Sequence, residues 1–421
     1  MRSVIEIYKI ARGPNTDLQC MPFLACQEIT KMIKSEYRKI DHLEVCLYNE
    51  LAKYYQFDKL IHSAFIDGFK DLHAPVKIKA VKIAPPAARG PHTFDIYVYL
   101  TKKGEINVMH RIIGTGAGNY IITDIKKISK YGFKNFDEME QYFLKHKHLT
   151  FYDYVKQFEK EGIVEKHFIK CWNLIKKVIS SGLAKTGFVP LNNSNVKGIK
   201  FKRHAKEIYL NKFKNESPSE KINRLISAYT YAIGEENITG CDMVISPTAS
   251  TTCVVWGCLK YIVDAYKPTT KKFINALCGA GLLASLVDQN GSLSADLVGC
   301  AGPMGVACGM AAAAASHIIY NANITQMGSA FEMALEHCLG LVCDSLCHIP
   351  IIPCIKRGAT YAVRAYEIAI LNNIIVKTPR LCKLDDVIKT IYETGQDENI
   401  NHKKIGHMGF SRYIKDIFYK E

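Results

Sequence analysis

The chain carries no charged side chain between Leu297 and His317, a length that would suffice to cross a membrane. This run is rich in Ala, Gly and Cys, and Pro303 interrupts it, whereas lipid-facing helices are richer in large aliphatic residues. Other stretches of the second half are also apolar on nearly all sides: Thr252–Ala265, Thr269–Ser285, Gly305–Ala322 and Thr325–Leu339. Helices of this kind are buried against one another. We therefore expect a large helical core and no membrane span.

The first part of the chain mixes helical and extended patterns. Phe94–Leu100 and Ile106–Ile113 alternate apolar and polar residues on either side of KKGE, which predicts a β-hairpin. Phe188–Lys214 has turn residues and no clean period, as is typical of a linker. The Ser-Pro-Ser-Glu sequence that begins at Ser217 suits a helix N-terminus. The expected fold class is α+β.

A chain of 421 residues is too long for one small core, so several domains are expected. We predict an N-terminal α/β domain over residues 1–150 and a helical segment with a linker over residues 151–216. The remaining residues, 217–421, are predicted to form an all-helical domain.

The net charge of +15 suggests nucleic-acid binding at first. However, most cations are lysines interleaved with glutamates, as in KQFEKEGIVEKH at Lys156–His167, which is typical of a solvated helix face. Nucleic acid is therefore a disfavoured partner. The N-terminus lacks the apolar stretch of a secretion signal, which predicts a cytoplasmic protein whose fifteen cysteines stay reduced.

Two short motifs are candidates for ligand binding. GTGAG at Gly114–Gly118 does not match the dinucleotide-binding pattern and is better explained as a tight turn. SPTASTTC at Ser246–Cys253 follows an apolar strand and precedes a buried helix, so its five hydroxyl groups lie at a helix entry. Such hydroxyls can cap the helix, or they can bind a carboxylate or phosphate beside exposed backbone N–H groups. The sequence leaves both explanations open.

Considered without the surrounding motifs, the cysteines are best explained as buried core residues. The sequence contains no C-x-x-C pair, so zinc-ribbon and thioredoxin-like sites have no support. Buried cysteine is common in protein cores, and spacing alone makes Cys343 and Cys354 core residues.

Several motifs nevertheless resemble those of one enzyme family, the iron–sulfur, PLP-independent L-serine dehydratases. The resemblance is strong after about residue 225 and looser before it. The motifs that carry it are YKIARGP at Tyr8–Pro14, LYNELA at Leu47–Ala52, DLVGC at Asp296–Cys300, EHCLGLVCD at Glu336–Asp344, PCIKR at Pro353–Arg357 and IYETGQDEN at Ile391–Asn399.

The resemblance implies a [4Fe–4S] cluster held by Cys300, Cys343 and Cys354, with one iron left open to substrate. It implies a lyase that converts L-serine, or a related small hydroxy or thiol amino acid, to pyruvate and ammonia. It also implies a homodimer, and it makes Cys338 and Cys347 ordinary core thiols. Among the hydroxyls of the SPTASTTC motif, Thr248, Ser246 and Ser250 become candidates for binding the substrate carboxylate.

The chain also departs from the family pattern. Leu18 and Gly90 stand where the family has histidines, Asp58 replaces a third histidine, and Gly358 replaces an asparagine. The candidates for the catalytic base are then Asp58 and His92, the latter two residues beyond Gly90, although a solvated surface role fits each of them as well. An alternative function follows from these changes, namely a paralogue that keeps the cluster for structure, sensing or sulfur handling without serine elimination.

Overall fold

The computed structural model describes residues 2–12, 26, 30, 40–47, 65–66, 69, 75–80, 93–102, 105–116, 119–122, 130–160, 162–190, 200–343, 353–375 and 382–397. Within these residues the protein is mostly helical with few strands, which agrees with the α+β expectation. The predicted domain boundaries at residues 150 and 216 stay predictions.

A five-stranded sheet is built from the first part of the chain, with the strand order β3-β2-β4-β5-β6. Its strands are β2 (Ile40–Leu47), β3 (Val76–Ala80), β4 (Thr93–Lys102), β5 (Glu105–Gly116) and β6 (Asn119–Ile122). Strands β2 and β3 are parallel, and the other pairs are antiparallel. The predicted hairpin is confirmed as β4 and β5.

The glycine-rich GTGAG motif begins inside β5, which ends at Gly116. Its last two residues lie outside the described residues, and β6 follows at Asn119. A strand therefore stands where a dinucleotide-binding loop would require a helix.

Most of the remaining described residues are helical. They are α1 (Val4–Ile7), α2 (Phe136–Lys145), α3 (Phe151–Val155), α4 (Ile163–Ala184), α5 (Ala205–Leu210), α6 (Pro218–Asn237), α7 (Thr252–Tyr266), α8 (Thr270–Asn290), α9 (Ala295–Val298), α10 (Ala301–Tyr320), α11 (Ile324–Glu336), α12 (Cys354–Ile375) and α13 (Leu384–Asp397).

The start of α6 follows from local sequence. The Ser217 hydroxyl accepts the backbone N–H of Glu220, and the Glu220 carboxylate accepts the backbone N–H of Ser217. Pro218 occupies the first turn, where its missing N–H costs no hydrogen bond. The helix start predicted at Ser217 is confirmed.

Helix α10 lies at the centre of the helical core, and nearly every residue from Ala301 to Ile318 is buried. It is long and apolar enough to span a membrane, but 89% of its most apolar 18-residue window is buried within the protein. Its small residues let neighbouring helices pack closely around it, as expected for a core helix. The predicted burial of this run is confirmed.

The N-terminal residues join the same core. Strand β1 (Lys9–Arg12) pairs antiparallel with β7 (Asp242–Ile245), which leads directly into the hydroxyl-rich segment. Val4 and Tyr8 are fully buried in this core, and the backbone N–H of Val4 donates to the Tyr131 hydroxyl at 2.6 Å. This ribbon fixes the position of the segment that follows β7.

The expectation of an irregular linker over Phe188–Lys214 is wrong for Ala205–Leu210, which forms α5. The buried carboxylate of Glu235 accepts the backbone N–H groups of His204 and Ala205 at 2.6 and 3.2 Å. This tertiary contact satisfies donors at the start of a short helix that its own sequence does not specify.

Candidate functional site

Two of the three predicted cluster ligands lie on segments that are bonded to each other. Cys300 precedes α10, and its backbone N–H donates to the carbonyl oxygen of Leu341 at 2.7 Å. The N–H of Ala301 donates to the same oxygen at 3.1 Å. These bonds hold the loop that ends in Cys343 against the start of α10.

Gly299 is required for this contact. Its φ of +59° lies in the left-handed region, and a Cβ atom there would stand 2.7 Å from the Leu341 oxygen. A larger residue would push the two segments apart.

The third predicted ligand, Cys354, is the first residue of α12. One turn later, Arg357 donates from Nη1 to the carbonyl oxygen of Val342 at 3.0 Å. Because Val342 directly precedes Cys343, this bond ties the first turn of α12 to the same loop.

Arg357 also connects the three thiols electrostatically. Burial lowers the pKa of this guanidinium, but the charges of Cys300, Cys354 and Cys343 raise it, so that its pKa lies above the ordinary value. The guanidinium of Arg357 therefore interacts electrostatically with all three thiols.

The three predicted ligands are slightly more exposed than most of the other buried cysteines. Cys300, Cys343 and Cys354 are 6%, 8% and 7% exposed. Among the described residues, six other cysteines are 0% exposed: Cys26, Cys171, Cys258, Cys278, Cys308 and Cys338. Burial raises the pKa of Cys338 to about 12, so it stays a neutral thiol, as expected of a core residue. Cys347 lies outside the described residues.

The hydroxyl-rich segment forms a compact loop between β7 and α7, which we call the hydroxyl loop (residues 246–252). It begins with a cis peptide bond between Ser246 and Pro247. The hydroxyl oxygen of Thr248 lies 2.8 Å from that of Thr251 and 3.4 Å from that of Ser250. Of these three hydroxyl residues, Ser250 is half-buried and the other two are buried.

Simple capping does not account for these hydroxyls. Thr251 is the N-cap of α7, and its side chain makes no capping hydrogen bond. Ser246 has a different partner, because the indole N–H of Trp256 donates to its hydroxyl oxygen at 3.1 Å. Thr248 and Ser250 thus remain beside the N-terminus of α7, where the helix dipole favours an anion.

The hydroxyl loop and the cysteine segments belong to neighbouring elements. A Cβ atom on Gly358 would lie 2.9 Å from the sulfur of Cys253, the second residue of α7. Helix α12 therefore packs closely against the start of α7, one turn after Cys354. The same contact explains the glycine, because an asparagine at this position would collide with Cys253.

The two candidates for the catalytic base, Asp58 and His92, lie outside the described residues. The structure also places two arginines at the site that the sequence did not predict there. Arg2 donates from Nη1 to the carbonyl oxygen of Pro247 at 3.2 Å, a contact between distant segments that no local pattern reveals. Arg357 lies within the PCIKR motif, so its position in that motif was the available signal.

The donor set fits an iron–sulfur cluster. It offers three thiols in apolar surroundings beside a cation, and thiolates are the usual protein ligands of such clusters. Among the described residues, no group of three His, Cys, Asp or Glu side chains is arranged around a single metal ion. The fit to a cluster therefore rests on the type of the three side chains and on their apolar surroundings.

Comparison with known proteins relates the chain to serine dehydratases. The family model of the serine dehydratase alpha chain matches residues 31–411. The chain is 32% identical over 252 residues to an L-serine dehydratase of Haemophilus influenzae, covering 59% of this chain and 54% of that protein. It is 30% identical over 255 residues to L-serine dehydratase 2 of Escherichia coli, covering 60% and 54%.

A third relative, L-serine dehydratase TdcG of Escherichia coli, is 36% identical over 187 residues, or 44% of this chain and 41% of that protein. The chain spans about half the length of the curated relatives that it matches. The family model covers most of the described site, including all three cysteines and the hydroxyl loop. This chain belongs to the serine dehydratase alpha chain family.

Proposed function

We propose that this protein is an iron–sulfur lyase of the L-serine dehydratase type, which converts L-serine to pyruvate and ammonia. The observation that carries the proposal is that the segments of Cys300, Cys343 and Cys354 are hydrogen-bonded together through the carbonyl oxygens of Leu341 and Val342. Family membership and the names of the relatives support the same reaction.

Cys300, Cys343 and Cys354 would hold a [4Fe–4S] cluster. With three protein thiolates as ligands, such a cluster would supply an iron that can act as a Lewis acid on a substrate hydroxyl. Arg357 would offset part of the negative charge that three thiolates bring together in a poorly solvated place.

The hydroxyl loop would bind the carboxylate of the amino acid. Thr248 and Ser250 offer hydroxyl donors beside the N-terminus of α7, and the helix dipole adds a favourable field for a negative charge. Ser246 is the weaker candidate, because its oxygen already accepts the Trp256 N–H.

The elimination also needs a base that removes the α-proton while the hydroxyl leaves. Asp58 and His92 are the proposed candidates, and the base must come within hydrogen-bond reach of that proton. The product enamine then yields pyruvate and ammonia with water. We further propose a homodimer, which light scattering on the purified protein would test.

The decisive experiment measures pyruvate and ammonia released from L-serine by anaerobically reconstituted protein. Turnover by the wild type that is lost in Cys343→Ser and kept in Cys308→Ser would support the proposal, since Cys308 is a fully buried core thiol. A protein that carries the cluster but turns over neither serine, threonine nor cysteine would overturn the proposed reaction.

A further inference from the structure

Asn237, the last residue of α6, contacts the middle of the hydroxyl loop. Its side-chain Nδ2 donates to the carbonyl oxygen of Ala249 at 2.8 Å. The side chain is almost fully enclosed, with 3% of the residue exposed. A buried amide thus contacts the backbone between Thr248 and Ser250, the two residues proposed to bind the carboxylate.

This contact fixes the orientation of the amide. The Ala249 carbonyl can only accept a hydrogen bond, so the NH₂ group must face it and Oδ1 must point elsewhere. No donor in the described part of the chain pairs with that oxygen. A buried acceptor without a partner is unfavourable unless a water or a ligand supplies the donor.

The position of Asn237 also relates the hydroxyl loop to the cysteine segments. Gly234 lies three residues earlier and therefore on the same face of α6. A Cβ atom on Gly234 would stand 2.9 Å from Cγ1 of Ile355, the residue after Cys354. This face of α6 thus contacts the start of α12 at Gly234 and the hydroxyl loop at Asn237.

The end of α6 is held rigidly. The neighbouring Glu236 carboxylate accepts from Arg203 at 2.7 Å, from Lys185 at 2.5 Å and from Ser181 at 2.9 Å. A binding group gains most when its own support is fixed before the ligand arrives.

We propose that Asn237 Oδ1 accepts a hydrogen bond from the α-ammonium group of the bound amino acid. This inference rests on the proposed function and adds the group that recognises the amino end of the substrate. A carboxylate has no hydrogen to donate, whereas an ammonium group offers three donors and a positive charge to a carbonyl oxygen. Asn237 would therefore select α-amino acids over acids that lack the amino group.

The test compares two ligands, L-serine and 3-hydroxypropionate, which keeps the carboxylate and the hydroxyl but has no ammonium group. Because reconstituted protein is expected to consume L-serine, the dissociation constant for L-serine is taken from its KM. That for 3-hydroxypropionate is taken from its inhibition constant against L-serine. Asn237→Ala should weaken L-serine binding at least about ten-fold and change 3-hydroxypropionate binding less than about two-fold. Asn237→Gln keeps an amide donor for Ala249 and serves as a second variant if Asn237→Ala does not fold.

Asn372 provides a matched control. Its Nδ2 donates to the carbonyl oxygen of Gln326 at 2.8 Å, and its buried Oδ1 also has no partner among the described residues. It lies on α12 in the last turns, away from the hydroxyl loop, so Asn372→Ala should leave both dissociation constants unchanged.

Three outcomes would overturn the inference. The first is that Asn237→Ala weakens the binding of both ligands equally, and the second is that it weakens the binding of neither. Either result would refute the role of Asn237, whereas serine turnover by the wild type would still support the proposed function. Failure of the reconstituted wild type both to bind L-serine and to turn it over would refute both together.

Discussion

The backbone N–H of Cys300 donates a 2.7 Å hydrogen bond to the carbonyl oxygen of Leu341, two residues before Cys343. The bond joins two cysteine segments that are distant in the sequence. Arg357 adds the third segment through its contact with the Val342 carbonyl. The relative positions of the three thiols are thus set by backbone groups and by one guanidinium.

Removing the charge of Arg357 should weaken iron binding. Arg357→Gln removes the cation that interacts with the three thiols, so we expect less iron per chain after reconstitution and faster iron loss to a chelator. Arg357→Lys keeps a positive charge, so it should bind more iron than Arg357→Gln. The control is Arg364→Gln on the same helix, because Arg364 is exposed and pairs with Glu367. Equal iron retention in Arg357→Gln and Arg364→Gln would contradict this role.

Gly358 and Cys253 should be energetically coupled. Gly358→Ala places a Cβ atom 2.9 Å from the Cys253 sulfur and should lower the free energy of unfolding by about 1–3 kcal/mol. The double variant Gly358→Ala with Cys253→Ala should recover part of that loss, because the smaller side chain relieves the overlap. Denaturant unfolding of all four proteins measures the coupling. Strictly additive effects would show that the overlap is not the cause.

Two hydroxyls of the same loop should have different roles. Ser246→Ala removes the acceptor of the buried Trp256 N–H and should cost about 1–3 kcal/mol of unfolding free energy. Thr248→Ala should mainly raise the KM for L-serine, because this hydroxyl is proposed to bind the carboxylate. Thermal unfolding and steady-state kinetics on both variants separate the two effects. If KM changed only in Ser246→Ala, then Ser246 rather than Thr248 would be the hydroxyl that binds the carboxylate.

The stability of the protein should depend on the ionisation of Glu235. Burial raises the pKa of this carboxyl to about 7. A carboxyl with a raised pKa binds its proton more tightly in the folded state, so its contribution is full below its ordinary pKa of 4.5 and is lost as the pH rises through about 7.

Glu235→Gln should remove this pH dependence. Relative to the wild type, the variant should gain up to about 3 kcal/mol between pH 5 and pH 8. Urea unfolding at both pH values measures the difference, and Glu207→Gln, at an exposed carboxylate, is the control. Parallel profiles for wild type and Glu235→Gln would contradict the raised pKa.

Local sequence predicted the elements whose causes are local. The all-round apolar pattern of Gly305–Ala322 predicted a core helix, which the structure shows as Ala301–Tyr320. The capping residues at Ser217 predicted a helix start. The alternation on either side of KKGE identified the β4–β5 hairpin. In each case the pattern lies within a few neighbouring residues.

Contacts between distant segments could not be predicted in this way. Gly358 was notable in the sequence only as a departure from the family, whereas the structure shows it pressed against Cys253. The roles of Arg357 and Asn237 depend on partners far away in the sequence, Cys300 and Ala249, so spacing along the chain carries no trace of them.

The most direct test of the central claim is the iron and sulfide content of protein prepared and reconstituted without oxygen. The wild type should contain about four irons per chain, as expected for one [4Fe–4S] cluster. Cys300→Ser, Cys343→Ser and Cys354→Ser should each lose most of it, whereas Cys338→Ser should keep it, because Cys338 is a buried neutral thiol. An iron-free wild type, or equal iron in all four variants, would contradict the assignment of the three cysteines.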